Sequence, residues 1–214
     1  GVESVTPEGL KDVYKGFNLS GDALVERLQV FKAHGVHVLG SFIFGLPSDR
    51  PETFDATSAL ADRAGITFAQ FVMLTPFPGT VDFEKWERQA SQNGESVDGI
   101  PVTRHWLIPQ ERRPKVYTPH PVMAADEIRQ RTQAVWDQFY DVRRIWARSR
   151  VVRSWKGRLA FVMISKLYRL MYANTGITTD SARAARSARI ARLIAGPCRR
   201  LFAAQPMPDL QVPA

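Results

Sequence analysis

Cysteine is nearly absent. The 214 residues hold one, Cys198, so a disulfide framework is excluded and a reducing compartment is expected. No Cys or His stands at ligand spacing around it, and it reads as an ordinary thiol. Histidine is scarce as well. His34, His37, His105 and His120 show no metal-ligand spacing, and no carboxylate pair is placed for acid–base work. No apolar run reaches the ~18 residues of a membrane span, and the opening residues lack the pattern of a signal peptide. Acids are short in the second half. Residues 1–110 carry 9 Lys+Arg against 14 Asp+Glu, a net −5, whereas residues 111–214 carry 20 against 7, a net +13. That asymmetry points to two regions with different partners.

The stretch with the most information is Gly-Val-His-Val-Leu-Gly-Ser-Phe-Ile-Phe-Gly-Leu-Pro at 35–47. Val36 to Phe44 is almost all apolar and lacks helix period, which predicts a strand buried on both faces, as in parallel sheets. Gly40 and Gly45 interrupt it, and glycine inside a strand marks close approach of backbone or ligand. A turn through Pro47 then opens a helix at Pro51. Strand, glycine, turn and helix together build a ligand site at the carboxyl end of a parallel sheet.

Around that stretch, Thr6-Pro7-Glu8 starts a short helix that stops at Gly16. Ser20 can cap the next one, with Leu24, Leu28 and Phe31 as its buried stripe and Gly35 at its end. Pro51 starts a third helix to about Ala64, with Phe54, Ser58 and Ala61 on one face. Arg50 is a poor cap, so Ser48 or Asp49 takes that duty or the end frays. A second apolar strand, Ile66 to Leu74, runs into the rigid loop Thr75-Pro76-Phe77-Pro78-Gly79-Thr80. The alternation predicts a parallel sheet with right-handed crossovers. Eighty residues are too few for an eight-fold barrel, which takes about 250.

Further on, Asp82 to Gln89 reads as a short helix and residues 91–122 as an ordered connecting loop. A long helix is expected over 124–150, with Ile128, Val135, Phe139, Val142 and Trp146 as its stripe. Another is expected over 153–172, greasy at Leu159, Val162, Met163, Lys166, Leu167, Leu170 and Met171 and flanked by Trp155, Tyr168 and Tyr172. An Arg-studded helix is expected over 180–200.

Four places can carry chemistry. Glu3 and Ser4 end a strand, where a carboxylate can accept ribose hydroxyls or bind an ammonium; capping the following helix is the competing role. Gly40 and Gly45, with Ile43 between them, let a flat ring lie on bare backbone, or else serve dense helix–sheet packing. Leu74 and Thr75 expose backbone that can meet the polar edge of a base, or simply lead from strand to loop. His105 and Trp106, with Tyr117, can line a substrate mouth or be ordinary packed and solvated side chains.

Gly1-Val2-Glu3-Ser4, Lys15-Gly16, Gly40-Ser41-Phe42-Ile43-Phe44-Gly45-Leu46-Pro47 and Leu74-Thr75-Pro76-Phe77-Pro78-Gly79-Thr80, in that order, resemble the cobalamin-binding branch of the radical S-adenosylmethionine family. The resemblance covers residues 1–80 and implies the C-terminal half of a partial (β/α) barrel. It also implies that Glu3, Ser4, Gly40, Ile43, Gly45, Leu74 and Thr75 contact S-adenosylmethionine. Residues 81–122 are then connecting loop and short helix, and 123–214 a basic, mostly α-helical extension. Phe83-Glu84-Lys85-Trp86-Glu87, Trp106-Leu107-Ile108-Pro109 and Met171-Tyr172-Ala173-Asn174-Thr175-Gly176 make this remainder resemble bacterial hopanoid C-3 methylases.

Two departures accompany the resemblance. The family's three-cysteine motif and its cobalamin domain are both absent, and one cysteine cannot ligate a [4Fe–4S] cluster. Both lie N-terminal in the family, which matches a chain opening on Gly1 rather than methionine, so the [4Fe–4S] cluster and cobalamin are expected on missing N-terminal regions. The resemblance implies that the full-length enzyme generates a 5′-deoxyadenosyl radical and methylates an unactivated carbon of a polycyclic lipid, cofactors carrying the hard step. The fragment alone is expected to be inactive, with an unpaired strand edge. The basic helical region is expected to meet an anionic membrane, with a cytoplasmic location and peripheral contact at the inner face; packing of its greasy face on the sheet is equally compatible. The alternatives are another substrate or reaction within the same branch, and a basic nucleic-acid-binding module. No nucleic acid is expected as partner, because the aromatics fall on apolar stripes rather than among the arginines.

Overall fold

The computed structural model describes residues 1–109, 111–114 and 116–173. The expected helix over 180–200, Cys198 and residues 174–176 of the Met171–Gly176 motif lie outside them.

Thr6 caps the first helix, α1 (Pro7–Asp12), its Oγ1 accepting the Gly9 N–H at 3.1 Å. Helix α2 (Gly21–Ala33) buries Leu24, Val25 and Leu28, but Phe31, expected in the same stripe, remains 45% exposed. Ser20 occupies the N-cap position without a side-chain cap bond. Strand β1 (Leu39–Phe44) follows, then α3 (Pro51–Arg63) and strand β2 (Phe68–Met73). At the start of α3 the capping is inverted: Arg50 stands at the N-cap, and its N–H donates to Thr53 Oγ1 at 3.0 Å.

β1 and β2 pair in parallel, from Leu39 opposite Phe68 to Phe44 opposite Met73. Glu3 adds a parallel bridge on the far side of β1, its N–H donating to Ser41 O and its carbonyl accepting from Ile43, both at 2.8 Å. Two strands and a bridge establish a parallel α/β layer, not a closed barrel. The strand is shorter than the apolar run. Val36 and Leu39 are about half exposed, and only one face of the sheet is fully buried. On that face Phe42, Phe44, Ala69, Phe71 and Met73 meet α3 and α5. Phe44 stacks on Phe54 at 4.3 Å between centroids.

The outer edge of β2 is closed by side chains. Trp136 Nε1 donates to Phe71 O at 2.7 Å, and the Tyr140 hydroxyl donates to Ala69 O at 2.9 Å while accepting the Ala69 N–H at 3.1 Å. Aromatic polar atoms thus take ladder positions that a further strand would hold, and the unpaired edge expected from the sequence is covered.

The single helix expected over 124–150 is two. α5 (Ala125–Phe139) ends at Tyr140, and Asp141 restarts the chain as the N-cap of α6 (Val142–Arg148), its Oδ1 accepting the Arg143 N–H at 2.9 Å. The break rotates the stripe, so Ile145 is buried while Val142 and Trp146 are exposed. The expected loop also contains structure. After α4 (Val81–Asn93), which outruns the expected Asp82–Gln89, comes a hairpin of β3 (Ser96–Val97) and β4 (Ile100–Pro101), then a 3₁₀ segment over Val102–Leu107. The last helix, α7 (Trp155–Ala173), packs Phe161, Val162, Tyr168 and Tyr172 on the core and turns Trp155, Leu159, Met163, Ile164 and Met171 to solvent. Lys166 reaches back from this helix, its Nζ donating to Tyr140 O at 2.6 Å. No helix among the described residues is long and apolar enough to cross a membrane.

Candidate functional site

A cavity of about 570 Å³ opens at the carboxyl ends of β1 and β2. Its apolar surface comes from Ile43, Leu46, Val72, Leu74 and Pro76. Charge sits on other elements: Glu3 before α1, Asp12 and Lys15 around its end, Asp82 and Lys85 on α4. Apolar walls with a few convergent polar groups are the usual build of a small-molecule site.

Of the residues singled out from sequence, Glu3, Ile43, Gly45, Leu74 and Thr75 line this cavity together. Ser4 and Gly40 do not. Ser4 is 4% exposed, and its Oγ accepts the Thr6 N–H at 3.3 Å beneath the start of α1. Gly40 lies early in β1, where an added Cβ would stand 2.9 Å from Ile66 and 3.0 Å from Phe42. Its bareness serves close packing.

Glu3 is held unusually. Its φ is +66°, a left-handed conformation that a non-glycine residue keeps only when its surroundings impose it. Here the two bonds to β1 impose it, and Lys15 Nζ meets its carboxylate at 2.6 Å. The pair is a pre-formed polar corner at the cavity. At the other wall Lys85 Nζ donates to the Tyr14 hydroxyl at 2.9 Å, and that bond raises the Lys85 ammonium above its ordinary range.

The turn between them depends on a residue assigned no cavity role from sequence. Asp49 is 1% exposed, and its Oδ2 accepts the N–H groups of Gly45 at 2.9 Å and Leu46 at 3.0 Å. It does not cap α3. Gly45 has φ +87°, so the turn needs both a glycine and an acceptor for its inward N–H groups. Burial pushes the Asp49 carboxyl up to about 6, outweighing the two bonds that favour its charge, and Asp12 nearby adds to the rise. Its Oδ1 is buried without a partner among the described residues. His120 secures the turn from outside. Its Nδ1 accepts the N–H groups of Val122 and Met123, so its Nε2 carries the proton and donates to Leu46 O at 2.9 Å.

His105, Trp106 and Tyr117 gather beside the cavity rather than in its lining. His105 is buried, 4.6 Å from the Tyr117 ring centroid and 5.3 Å from Trp106, with Nε2 on Pro76 O at 3.2 Å. Burial lowers its pKa. Trp86, which does line the cavity, donates Nε1 to Tyr117 O at 3.1 Å. The trio therefore backs the Trp86 wall. Among the described residues no three His, Cys, Asp or Glu side chains form a metal cluster.

The fold and site define a parallel α/β unit with an amphipathic ligand cavity at its strand ends. No protein-family profile matches the chain. Over 93 residues, 44% of this chain, it is 36% identical to an uncharacterised methyltransferase of Pyrococcus horikoshii, of which the match covers 19%. Over 87 residues, 40% of this chain, it is 39% identical to the bacteriochlorophyllide d C-12(1)-methyltransferase of Chlorobaculum tepidum, of which it covers 18%. The chain thus spans under a fifth of the length of the curated relatives it matches, and both of those are methyltransferases.

Proposed function

We propose that this chain is part of an S-adenosylmethionine-dependent methyltransferase of the cobalamin-binding radical type, acting on an unactivated carbon of a polycyclic lipid such as C-3 of a hopanoid. The half-barrel architecture belongs to this reading. One observation carries it: Glu3, Ile43, Gly45, Leu74 and Thr75, distant in sequence, line one cavity at the carboxyl edge of the sheet. Bound there, S-adenosylmethionine supplies the activated group, and the chain supplies placement.

Each residue then has a physical task. Ile43 and Leu74 face the flat purine, and bare backbone at Gly45 allows close approach. Glu3, steadied by Lys15, offers an anionic acceptor to hydroxyl or ammonium groups. Asp49 keeps the Gly45–Leu46 turn in shape. The described residues contain no cysteine and do not fit a [4Fe–4S] cluster; in this reading the cluster and the cobalamin are held elsewhere in the full-length protein. The polycyclic acceptor draws support from the Chlorobaculum relative, named for methylation of a bacteriochlorophyllide. That same likeness favours, as second reading, a different polycyclic substrate for the same chemistry. We further propose peripheral contact of the basic helical region with anionic lipid, supported by the exposed Trp155, Leu159 and Met163 on α7.

The test is S-adenosylmethionine titrated into the isotope-labelled chain. Saturable amide shifts at Gly45, Leu74 and Thr75, weakened at least about tenfold in Leu74→Lys, are expected. Absence of saturable shifts at those residues would overturn the reading.

A further inference from the structure

A second hollow, of about 460 Å³, lies at the amino-terminal end of the same sheet, where His37 and Thr67 lead into β1 and β2. Lys32, Arg148 and Arg150 line it with them, and no Asp or Glu is among its described lining residues. This is the reverse of the first cavity, where three carboxylates face two ammonium groups.

The positive charge here is only partly answered. Arg144 and Arg148 share one carboxylate, Asp62, at 2.7 and 3.2 Å. Neither Lys32 nor Arg150 has an ion-pair partner among the described residues. The Arg148 side chain is 8% exposed and stacked over the Phe139 ring at 3.7 Å. Its two terminal nitrogens reach Asp62 and Phe139 O, while Nε is buried with no acceptor among the described residues. Lys32 is drawn in over Gly65; an added Cβ there would stand 2.5 Å from its Nζ. Hydroxyl and imidazole are already set beside the cations, with His37 Nδ1 and Thr67 Oγ1 at 3.3 Å. Val36 and Val151, 49% and 39% exposed, complete the wall with apolar surface.

We propose that this hollow binds a phosphate group. A compact anion with several acceptor oxygens suits the Arg150 guanidinium, the Lys32 ammonium and the Thr67 hydroxyl, which line the hollow with no carboxylate among the described lining residues. The apolar rim fits a phosphate that carries a hydrocarbon body, so the group comes either from a lipid headgroup or from a soluble phosphate ester. This hollow is separate from the cavity at the carboxyl end of the sheet.

The labelled chain is titrated with inorganic phosphate and with glycerol 3-phosphate, and floated with phosphatidylcholine vesicles with and without phosphatidylglycerol. Saturable shifts at Gly35, His37, Thr67 and Arg150 are expected, weakened about tenfold or more by Arg150→Glu, an exposed position whose change leaves the fold intact by circular dichroism. Arg143→Glu, equal in charge but outside the hollow, is expected to leave binding within about twofold. Flotation lost in Arg150→Glu and kept in Arg143→Glu assigns the phosphate to a lipid headgroup; flotation equal in both, with soluble phosphate still bound at the hollow, assigns it to a soluble ester. No saturable shift at these amides with millimolar phosphate, or equal weakening by both variants, overturns the proposal. Failure to bind S-adenosylmethionine leaves this result untouched.

Discussion

The two ends of one parallel sheet have been given opposite surfaces. At the carboxyl end, β1 and β2 run into Gly45 and Leu74, and the cavity there is floored by apolar side chains with acids and bases in near balance. At the amino end, the chain enters the strands through His37 and Thr67, and the hollow is walled by cations. The strands are six residues each, so roughly 20 Å separates the two environments. Between them stands the aromatic layer of Phe42, Phe44, Phe71, Trp136 and Phe139. The contrast teaches that polarity was placed by the connections and not by the strands. Apart from Glu3 on its bridge to β1, every charged group at either end comes from a loop or a flanking helix, while β1 and β2 contribute apolar side chains and bare backbone there.

Removing the layer between the two ends is the harshest test of that contrast. Trp136 is fully buried, edge-on to Phe71 at 5.5 Å, and donates to Phe71 O. Trp136→Ala deletes the ring and leaves a β2 carbonyl without its donor, so a loss of about 3–5 kcal/mol is expected. Urea unfolding followed by circular dichroism measures it. Both cavities are expected to be lost together; survival of ligand-induced shifts at either end would show that the ends fold separately.

Asp49 separates the two ends. Its folded carboxyl sits at about 6, above its ordinary 3.8. Between those pH values the folded chain holds a proton that the unfolded chain has released. The resulting stabilisation is complete below about pH 4 and is lost as pH rises through 6, a contribution on the order of 3 kcal/mol at most. Asp49→Asn removes the titration, so the difference in unfolding free energy between wild type and variant is expected to slope from pH 4 to 7 and flatten above. A flat difference throughout would show that the carboxyl is not raised. At neutral pH the variant is expected to perturb amides at Gly45 and Leu46 and to leave Gly35 and Thr67 unmoved.

What the sequence made legible follows from range. The parallel pair and the glycine ending β1 rest on local apolar runs and strand–turn–helix order, which need no knowledge of distant partners; the grouping of Glu3, Ile43, Gly45, Leu74 and Thr75 at one site was implied by the family resemblance, and Ser4 and Gly40 of that group lie outside the cavity. Two misses were also local. Asp98-Gly99 between Val97 and Ile100 is a hairpin signal, with both turn residues at positive φ. Asp141 is a good N-cap standing inside an otherwise helical pattern. The remaining misses depend on residues far apart in the chain. The closing of β2 by Trp136 and Tyr140 joins positions 65 and 71 residues apart, and nothing in a stripe of apolar residues says that an indole N–H will meet a strand carbonyl. Asp49 illustrates a different limit. Its charge suggested a helix cap at the surface, whereas its work is inward, and only burial by the following helix reveals it. The hollow of cations escaped for the same reason, since Lys32 and Arg150 meet only through the fold.

The smallest expected effect concerns two ion pairs alike in length and unlike in setting. Arg63 meets Asp22 at 2.5 Å, with side chains 60% and 79% exposed. Lys15 meets Glu3 at 2.6 Å, with exposures of 37% and 15%. Water and salt screen the first pair, and holding two long side chains together offsets much of what attraction remains, so Arg63→Ala is expected to change stability by less than about 0.5 kcal/mol. The second pair lies against the cavity and secures a residue whose backbone is already in a costly conformation, so Lys15→Ala is expected to exceed it and to move the Gly45 amide as well. Both variants are measured by urea unfolding at low and at high salt. If they prove equal, or if raising the salt leaves Arg63→Ala and wild type further apart rather than closer, then distance from the cavity does not set the worth of a charge in this molecule, and the contrast between its two ends loses its electrostatic basis.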